Sequence, residues 1–246
     1  MPGHGRRSVC GRYVTASSAA RLAAEFGAAD HTGGAEVVSF NRAPTQPTPA
    51  VLPDGAGGRR LVLLNWGLVP SWARDPRGAS RMINARVETV LAKPAFRTAV
   101  RQRRTLLPAS GWFEWPARYG KQPVYITGDA PFAFAGIHDR WLGPDGTLLR
   151  TCSILTTAAT PAIASLHHRM PVLVAEDRWQ AWLTVPEGDV PALLADLATP
   201  PQRLDYWPVD RAVGSVHADG PRLLDPVRPG GDAAISLTFL APDPLP

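Results

Sequence analysis

Apolar positions along the chain come in short bursts, broken so often by Gly and Pro that few segments have room for a long helix. Residues 18–26 set Leu22, Glu25 and Phe26 at helical spacing ahead of Gly27, which predicts a short helix with a glycine stop. Residues 30–36 read as loop and 37–40 as a strand, and the prolines in the next stretch, Asn-Arg-Ala-Pro-Thr-Gln-Pro, forbid helix. Val51-Leu52 and 61–66 flank Pro-Asp-Gly-Ala-Gly-Gly, the pattern of a hairpin with a mobile tip. Residues 86–91 and 94–103 read as two helical pieces, the second with Pro94 in its first turn.

Strand-like runs follow at 105–107, 111–115, 123–127, 132–137 and 148–157, with Gly-Pro-Asp-Gly at 143–146 turning between the last two. Helical patterns resume at 161–165, 176–183 and 190–197. Strands flanked by helices, without regular strand–helix alternation, predict an α+β fold on a largely antiparallel sheet. No repeat or linker divides the chain. From 226 onward it is Pro-rich, with one more strand-like run at 235–240.

With 246 residues, 45% hydrophobic and 19% charged, the chain suits a single domain that buries a core. No apolar run approaches the length of a membrane span, and residues 1–9 hold no apolar stretch of signal-sequence type. Cys10 and Cys152 are the only cysteines. Two so far apart make neither a disulfide framework nor a metal cluster, and a reducing, cytoplasmic compartment is expected. The net charge is +5, and the cations other than Lys93 and Lys121 are arginines. Arginine's planar fork suits phosphate, but abundant Ala, Gly and Pro point to a compositional bias that enriches arginine too.

Four places mix titratable or amide side chains with Trp, Gly or Pro: Cys10-Gly11-Arg12-Tyr13; residues 65–73 with 83–89; residues 108–115; and residues 166–171. On a strand, Trp112 and Glu114 share one face, and a carboxyl beside an indole has its pKa raised toward proton-transfer range. Taken alone, the simpler reading of Glu114 is an edge-strand residue facing water. His167 and His168 precede Arg169, a pairing that suits proton transfer beside phosphate, although His168 reads as an ordinary surface histidine. Trp66 and Trp72 are either core residues or faces for stacking a base. Cys152 reads as a small buried apolar residue.

Cys-Gly-Arg-Tyr, Ala-Pro-Thr-Gln, Trp-Gly-Leu-Val-Pro-Ser-Trp-Ala, Asn-Ala-Arg-Val-Glu-Thr, Pro-Ala-Ser-Gly-Trp-Phe-Glu-Trp and His-His-Arg-Met-Pro occur here in this order. In that order they resemble the SRAP family, the SOS-response-associated, abasic-site processing proteins. The resemblance extends from Cys10 to about Val227 and implies a curved, mostly antiparallel, barrel-like β core with peripheral helices. It implies that Cys10 crosslinks to an abasic site in single-stranded DNA, with Asn84, Glu114 and His167 completing the catalytic set. Arg12, Arg86 and Arg169 match phosphate contacts, and Pro44, Trp66 and Trp72 join the expected DNA-binding set. No cofactor or metal is implied. The partner is abasic single-stranded DNA, in a monomeric protein associated with the nucleoid when bound.

The implied chemistry uses both nucleophiles of a terminal cysteine: its α-amine condenses with the ring-opened aldehyde, then its thiol closes a thiazolidine. In this chain nine residues precede Cys10, and an amide nitrogen cannot form a Schiff base. GTG reads as Val internally but as Met at initiation, so a start at codon 9 would give Met-Cys-Gly-Arg-Tyr and, after trimming, a free Cys10. The expected organisation is a non-functional leader at 1–9, the SRAP domain at 10–227 and a tail at 228–246. Proteolytic removal of the leader, or loss of the activity, are the alternatives. Two rival functions remain: an N-terminal-nucleophile amidohydrolase or peptidase, with its own leader as one candidate substrate, and a non-covalent single-stranded DNA-binding module.

Overall fold

The structure, a computed structural model, describes residues 10–129, 131–198 and 203–227. The expected leader and the strand-like run at 235–240 lie outside the described residues. In chain order the strands are β1 (Tyr13–Thr15), β2 (Ala28–Asp30), β3 (Ser39–Arg42), β4 (Pro47–Pro53), β5 (Arg59–Trp66), β6 (Asn84–Arg86) and β7 (Arg104–Ala109). They continue with β8 (Gly111–Glu114), β9 (Val124–Gly128), β10 (Phe132–Leu142), β11 (Leu148–Ala158), β12 (Arg169–Pro171), β13 (Leu173–Val174) and β14 (Leu204–Pro208). The helices are α1 (Ala19–Glu25), α2 (Val87–Val90), α3 (Arg97–Gln102), α4 (Pro161–Ala164), α5 (Trp179–Thr184) and α6 (Val190–Asp196).

Local chemistry sets the hairpins. At the β4–β5 tip the Asp54 carboxylate accepts the Ala56 and Gly58 N–H groups at 2.8 and 2.9 Å. Asp145 accepts the Thr147 N–H at 3.0 Å in the β10–β11 turn. Prolines at 47, 49 and 53 fall on alternate positions of β4, so their missing N–H groups lie along one edge. β4 accordingly keeps a seven-pair ladder to β5 and meets β7 through one pair, Val51 with Leu106.

β5, β4, β7, β10 and β11 pair antiparallel in that order, and β11 returns in parallel to β5 through Thr151–Asn65 and Cys152–Trp66. That last pairing closes a five-strand barrel. Alternation sorts its side chains. Val51, Leu61, Leu106, Ala135 and Leu155 join one core cluster with Leu22 of α1, Val100 of α3, Trp182 of α5 and Leu193 of α6. Ala50, Leu64, Trp66, Leu107, Phe134 and Cys152 fall in a second cluster, which continues into Cys10, Tyr13 and Trp112. The last two belong to a separate five-strand sheet, ordered β14–β9–β8–β1–β3. Tyr13 joins the layers, its ring edge-on to Trp66 at 5.2 Å and to Phe134 at 5.6 Å.

The α+β class is therefore as the strand and helix pattern predicts, and the barrel-like core is as the family resemblance implies. One expected helix, at 86–91, divides: residues 84–86 pair with β11 as a strand and only Val87–Val90 are helical. The expected strand at 37–40 lies two residues later, at Ser39–Arg42. The strands at 13–15, 28–30, 169–174 and 204–208 had no periodic signature, being too short to display one.

Gly67 follows β5 at φ 134°, donates its N–H to the Cys152 carbonyl at 2.8 Å, and would place a Cβ 2.6 Å from the Ala79 carbonyl oxygen. Gly67→Ala is expected to cost about 2–3 kcal/mol in urea unfolding, through backbone strain and displacement of the 79–82 segment. A variant as stable as the parent would show that this segment yields freely.

Candidate active site

β8 is an interior strand, paired to β1 on one side and β9 on the other, and all four of its residues are buried. This corrects the solvent-facing reading of Glu114: a strand flanked on both sides and packed on both faces offers its carboxyl no route to water. Trp112 faces the second core cluster, while Phe113 faces a third with Val14, Tyr125 and Val213. Glu114 follows the parity of Trp112 and points to the Cys10 side.

Pairing of Tyr13 with Trp112, and the Phe113 N–H bound to the Arg12 carbonyl at 3.0 Å, draw the chain before β1 alongside β8. There Cys10 is fully buried, and its backbone N–H donates to Glu114 Oε1 at 3.0 Å. Its φ of 46° lies in the left-handed region, a strained choice for a residue with a side chain. Burial pushes the Glu114 carboxyl up to about 8, with the Cys10 N–H pulling partly back. Burial, and then the Glu114 charge, push the Cys10 thiol well above its ordinary range. Cys152 is likewise buried with its thiol raised by desolvation. Both thiols are protonated at neutral pH, so a reaction at Cys10 must move the proton during the step itself.

Asn84 opens β6 opposite Ile154. The residue before it, Ile83, is buried in the cluster that holds Cys10, and its carbonyl accepts the Trp66 indole N–H at 3.0 Å. His167 follows α4, half-buried between Leu166 and Met170 in sequence, and the side chains of those two also enter that cluster. His167 Nδ1 lies 3.0 Å from the Arg169 backbone nitrogen and 3.2 Å from the Arg169 carbonyl oxygen, so the ring is held against its own chain two residues on. Its ring stacks on the exposed His168, with centroids 4.4 Å apart. Cys10 and Glu114 thus touch directly, while Asn84 and His167 stand beside residues packed in the same core.

The expected DNA-binding residues divide. Trp66 is fully buried with its indole N–H bonded and its ring against Tyr13, so no face is open to a base; here the expectation is corrected to a packing role. Trp72 is 65% exposed. Its loop is pinned on either side by Val69 N–H to Thr151 at 2.9 Å, Ser71 N–H to Asp139 at 3.0 Å, and Trp141 to the Ala73 carbonyl at 2.7 Å. Arg86 is exposed at the end of β6, and Pro44 is half-buried in the turn before β4. Arg12 donates to Asn41 Oδ1 at 2.9 Å and to the carbonyls of Val213 and Gly214 at 3.1 and 3.3 Å. Arg169 is buried, bidentate to Glu88 at 2.5 and 3.0 Å and bound to the Thr156 carbonyl at 2.6 Å.

Sequence reading missed Glu88 and Asn41. Glu88 lay inside a recognised motif, and its carboxyl is held below the usual range chiefly by the hydrogen bond from Arg169. The Asn41 amide donates to the Ser215 and Ala218 carbonyls at 2.8 Å each, and nothing local in the sequence signals that role. Among the described residues, no group of three or more His, Cys, Asp or Glu side chains is arranged to hold a metal, and no helix is long and apolar enough to cross a membrane.

A barrel flanked by a second sheet, with a buried cysteine against a desolvated carboxyl at their junction, defines an α+β protein with a cysteine–glutamate site. Residues 9–216 match the family described as SOS response associated peptidase (SRAP), and the chain belongs to it. It is similar to Abasic site processing protein YoaM of Bacillus subtilis (strain 168), 36% identical over 193 residues, 76% of this chain and 84% of that one. Abasic site processing protein YoqW of the same strain is 32% identical over 224 residues, 88% and 99% of the two chains. A crystal structure of a protein from Bacteroides thetaiotaomicron matches at a TM-score of 0.78 and 25% identity, over 89% of this chain and all of that one.

Because the Glu114 carboxyl is raised, the folded state holds its proton more tightly than the unfolded chain does. Stability from this group is therefore fully present below its ordinary value of 4.5 and is lost as pH climbs toward about 8. Over that range the loss reaches about 4–5 kcal/mol as an upper bound. Urea midpoints measured from pH 4.5 to 8 are expected to fall in the parent and to fall much less in Glu114→Gln, which keeps the acceptor for the Cys10 N–H. Equal slopes would place this carboxyl in water.

Proposed function

We propose that this protein binds single-stranded DNA and forms a covalent thiazolidine between Cys10 and the ring-opened sugar of an abasic site. The observation that carries the reading is the buried contact of the Cys10 nitrogen with Glu114, which puts a proton-transfer group on the atom that must become the nucleophile. The reading requires a chain whose first residue is Cys10, so that this nitrogen is an amine with a pKa of roughly 8. The amine adds to the aldehyde carbon, one of its protons moving to the oxygen, and the protonated Glu114 gives its proton to the departing hydroxyl, releasing water and leaving a protonated imine beside the Glu114 carboxylate. The Cys10 sulfur then attacks the imine carbon. Its proton passes to the Glu114 carboxylate, which is restored to its protonated form, while the C=N electron pair returns to the nitrogen, which ends as the ring amine. Both nucleophiles belong to one residue, so closure is intramolecular. His167 serves the sugar ring oxygen during opening and reversal, Asn84 orients the sugar, and Arg86 and Trp72 receive phosphate and base.

The same contact favours a second reading, self-cleavage before Cys10. The thiol attacks the Val9 carbonyl, Glu114 protonates the departing Cys10 nitrogen, and water hydrolyses the resulting thioester. This reading accords with the word peptidase in the family's description.

Protein beginning at Cys10 is expected to give a heat-stable adduct with single-stranded DNA holding one abasic site, visible on a denaturing gel. An intact strand, or an abasic site reduced to the alcohol, should give little. Cys10→Ala should abolish the adduct and Cys152→Ala should retain it; an adduct surviving Cys10→Ala would sink the reading. Glu114→Gln should slow adduct formation roughly a hundredfold. Arg86→Ala should instead flatten the log–log salt dependence of binding by about 0.7. For self-cleavage, intact mass of the full chain is expected to reveal loss of residues 1–9 that stops in Cys10→Ala.

A further inference from the structure

The barrel end away from Asn84 and Arg169 carries cations that the Cys10 chemistry does not use. Arg60 on β5, His138 and Arg140 on β10, and Arg150 on β11 line a pocket of about 310 Å³ floored by Leu52, Val62 and Leu64. Alternation places these side chains on the barrel face that holds Trp66 and Cys152. Arg60 lies six positions before Trp66, and Arg150 six before Thr156, where Arg169 is bound. At about 3.3 Å per residue, the pocket lies on the order of 20 Å along the strands from that end.

The charge here is unbalanced. Arg140 and Arg150 stand directly opposite each other across the β10–β11 ladder, a like-charge pairing that destabilises a sheet. No acidic residue lines the pocket. Asp139, next along β10, is engaged by Arg103 at 3.3 Å and by the Ser71 N–H. Among the described residues, the guanidinium groups of Arg60, Arg140 and Arg150 make no ion pair or hydrogen bond. His138 feels the result: burial first, and then Arg103, Arg140 and Arg60, press its imidazole down to about 4, so the ring is neutral and free to accept or donate.

We propose that this mouth of the barrel is a binding site for a phosphorylated anion of pyrophosphate to nucleoside-diphosphate size. The guanidinium forks of Arg140 and Arg150 would clamp the phosphate oxygens, Arg60 would close the third side, and the apolar floor would receive an attached organic group. A volume near 310 Å³ is at the small end for ligand pockets, too small for a duplex but ample for a diphosphate. The phosphate belongs either to a free metabolite or to the 5′ end of a nucleic-acid strand. Neither source requires Cys10 to react, so this site stands apart from the proposed crosslinking.

Calorimetric titration of the full chain tests it, with inorganic pyrophosphate, ADP, and a short oligonucleotide carrying either a 5′-phosphate or a 5′-hydroxyl. Pyrophosphate or ADP binding more tightly than the oligonucleotides assigns a free ligand. A preference for the 5′-phosphorylated strand over all other probes assigns a strand end. In either case the double variant Arg140→Ala, Arg150→Ala is expected to weaken binding about ten- to hundredfold. Its thermal midpoint should be no lower than the parent's, because a repulsion has been removed. Saturating pyrophosphate should raise the His138 titration midpoint in NMR, since a bound anion favours the imidazolium. Absence of binding by every phosphate probe at millimolar concentration, or binding unchanged in the folded double variant, would overturn the proposal.

Discussion

A carboxyl group held out of water is the constraint on which the site turns. Glu114 is 4% exposed in the middle of a five-strand sheet, and its hydrogen-bond partner is the backbone nitrogen of Cys10. Burying a carboxylate is costly unless it is bonded or neutralised, and here the group responds by holding its proton to about pH 8. That response needs β1 and β9 on either side of β8, and Tyr13 and Trp112 packed against the barrel interior. Cys10 accepts a left-handed backbone and a desolvated thiol in the same place. The surrounding packing, including the edge-on contacts of Tyr13, holds both residues in states that neither would adopt in water.

Arginine has a second task besides meeting phosphate. Arg12 gathers the carbonyls of Val213 and Gly214, and Arg42 the carbonyls of Val37 and Pro47. Arg104 donates to the carbonyls of Val100 and Trp182. Apart from that of Pro47, which opens β4, these oxygens lie in helices and loops, outside any sheet ladder, and a guanidinium reaches several at once. Part of the basic charge is therefore internal scaffolding. Other arginines stay at the surface, among them Arg86 beside the site, and Arg60, Arg140 and Arg150 at the far end of the barrel.

Hairpin turns, capped helices and interior strands were legible in the sequence because their signals are local. Ser18 caps α1 by accepting the Arg21 N–H, Asp54 organises the β4–β5 tip, and β10 and β11 contain the strand-like runs at 132–137 and 148–157 on either side of a Gly-Pro-Asp-Gly turn. Short strands such as Arg169–Pro171 carry no such signal, because three residues display no period. The residue types of the site were legible too, since cysteine beside Gly-Arg-Tyr and glutamate between two tryptophans are unusual in plain strands.

What the sequence determined by itself, then, was the longer elements and the chemical groups available, both of which follow from near neighbours along the chain. The tertiary structure decided the state of each group. Whether β8 was an edge or an interior strand set the pKa of Glu114, and whether Trp66 faced the barrel core or solvent removed it from the surface. Arg169 is a brace because Glu88, 81 positions earlier, reaches it. Desolvation and charge pairing depend on what surrounds a group in space, and those surroundings come from strands that pair far apart in the chain.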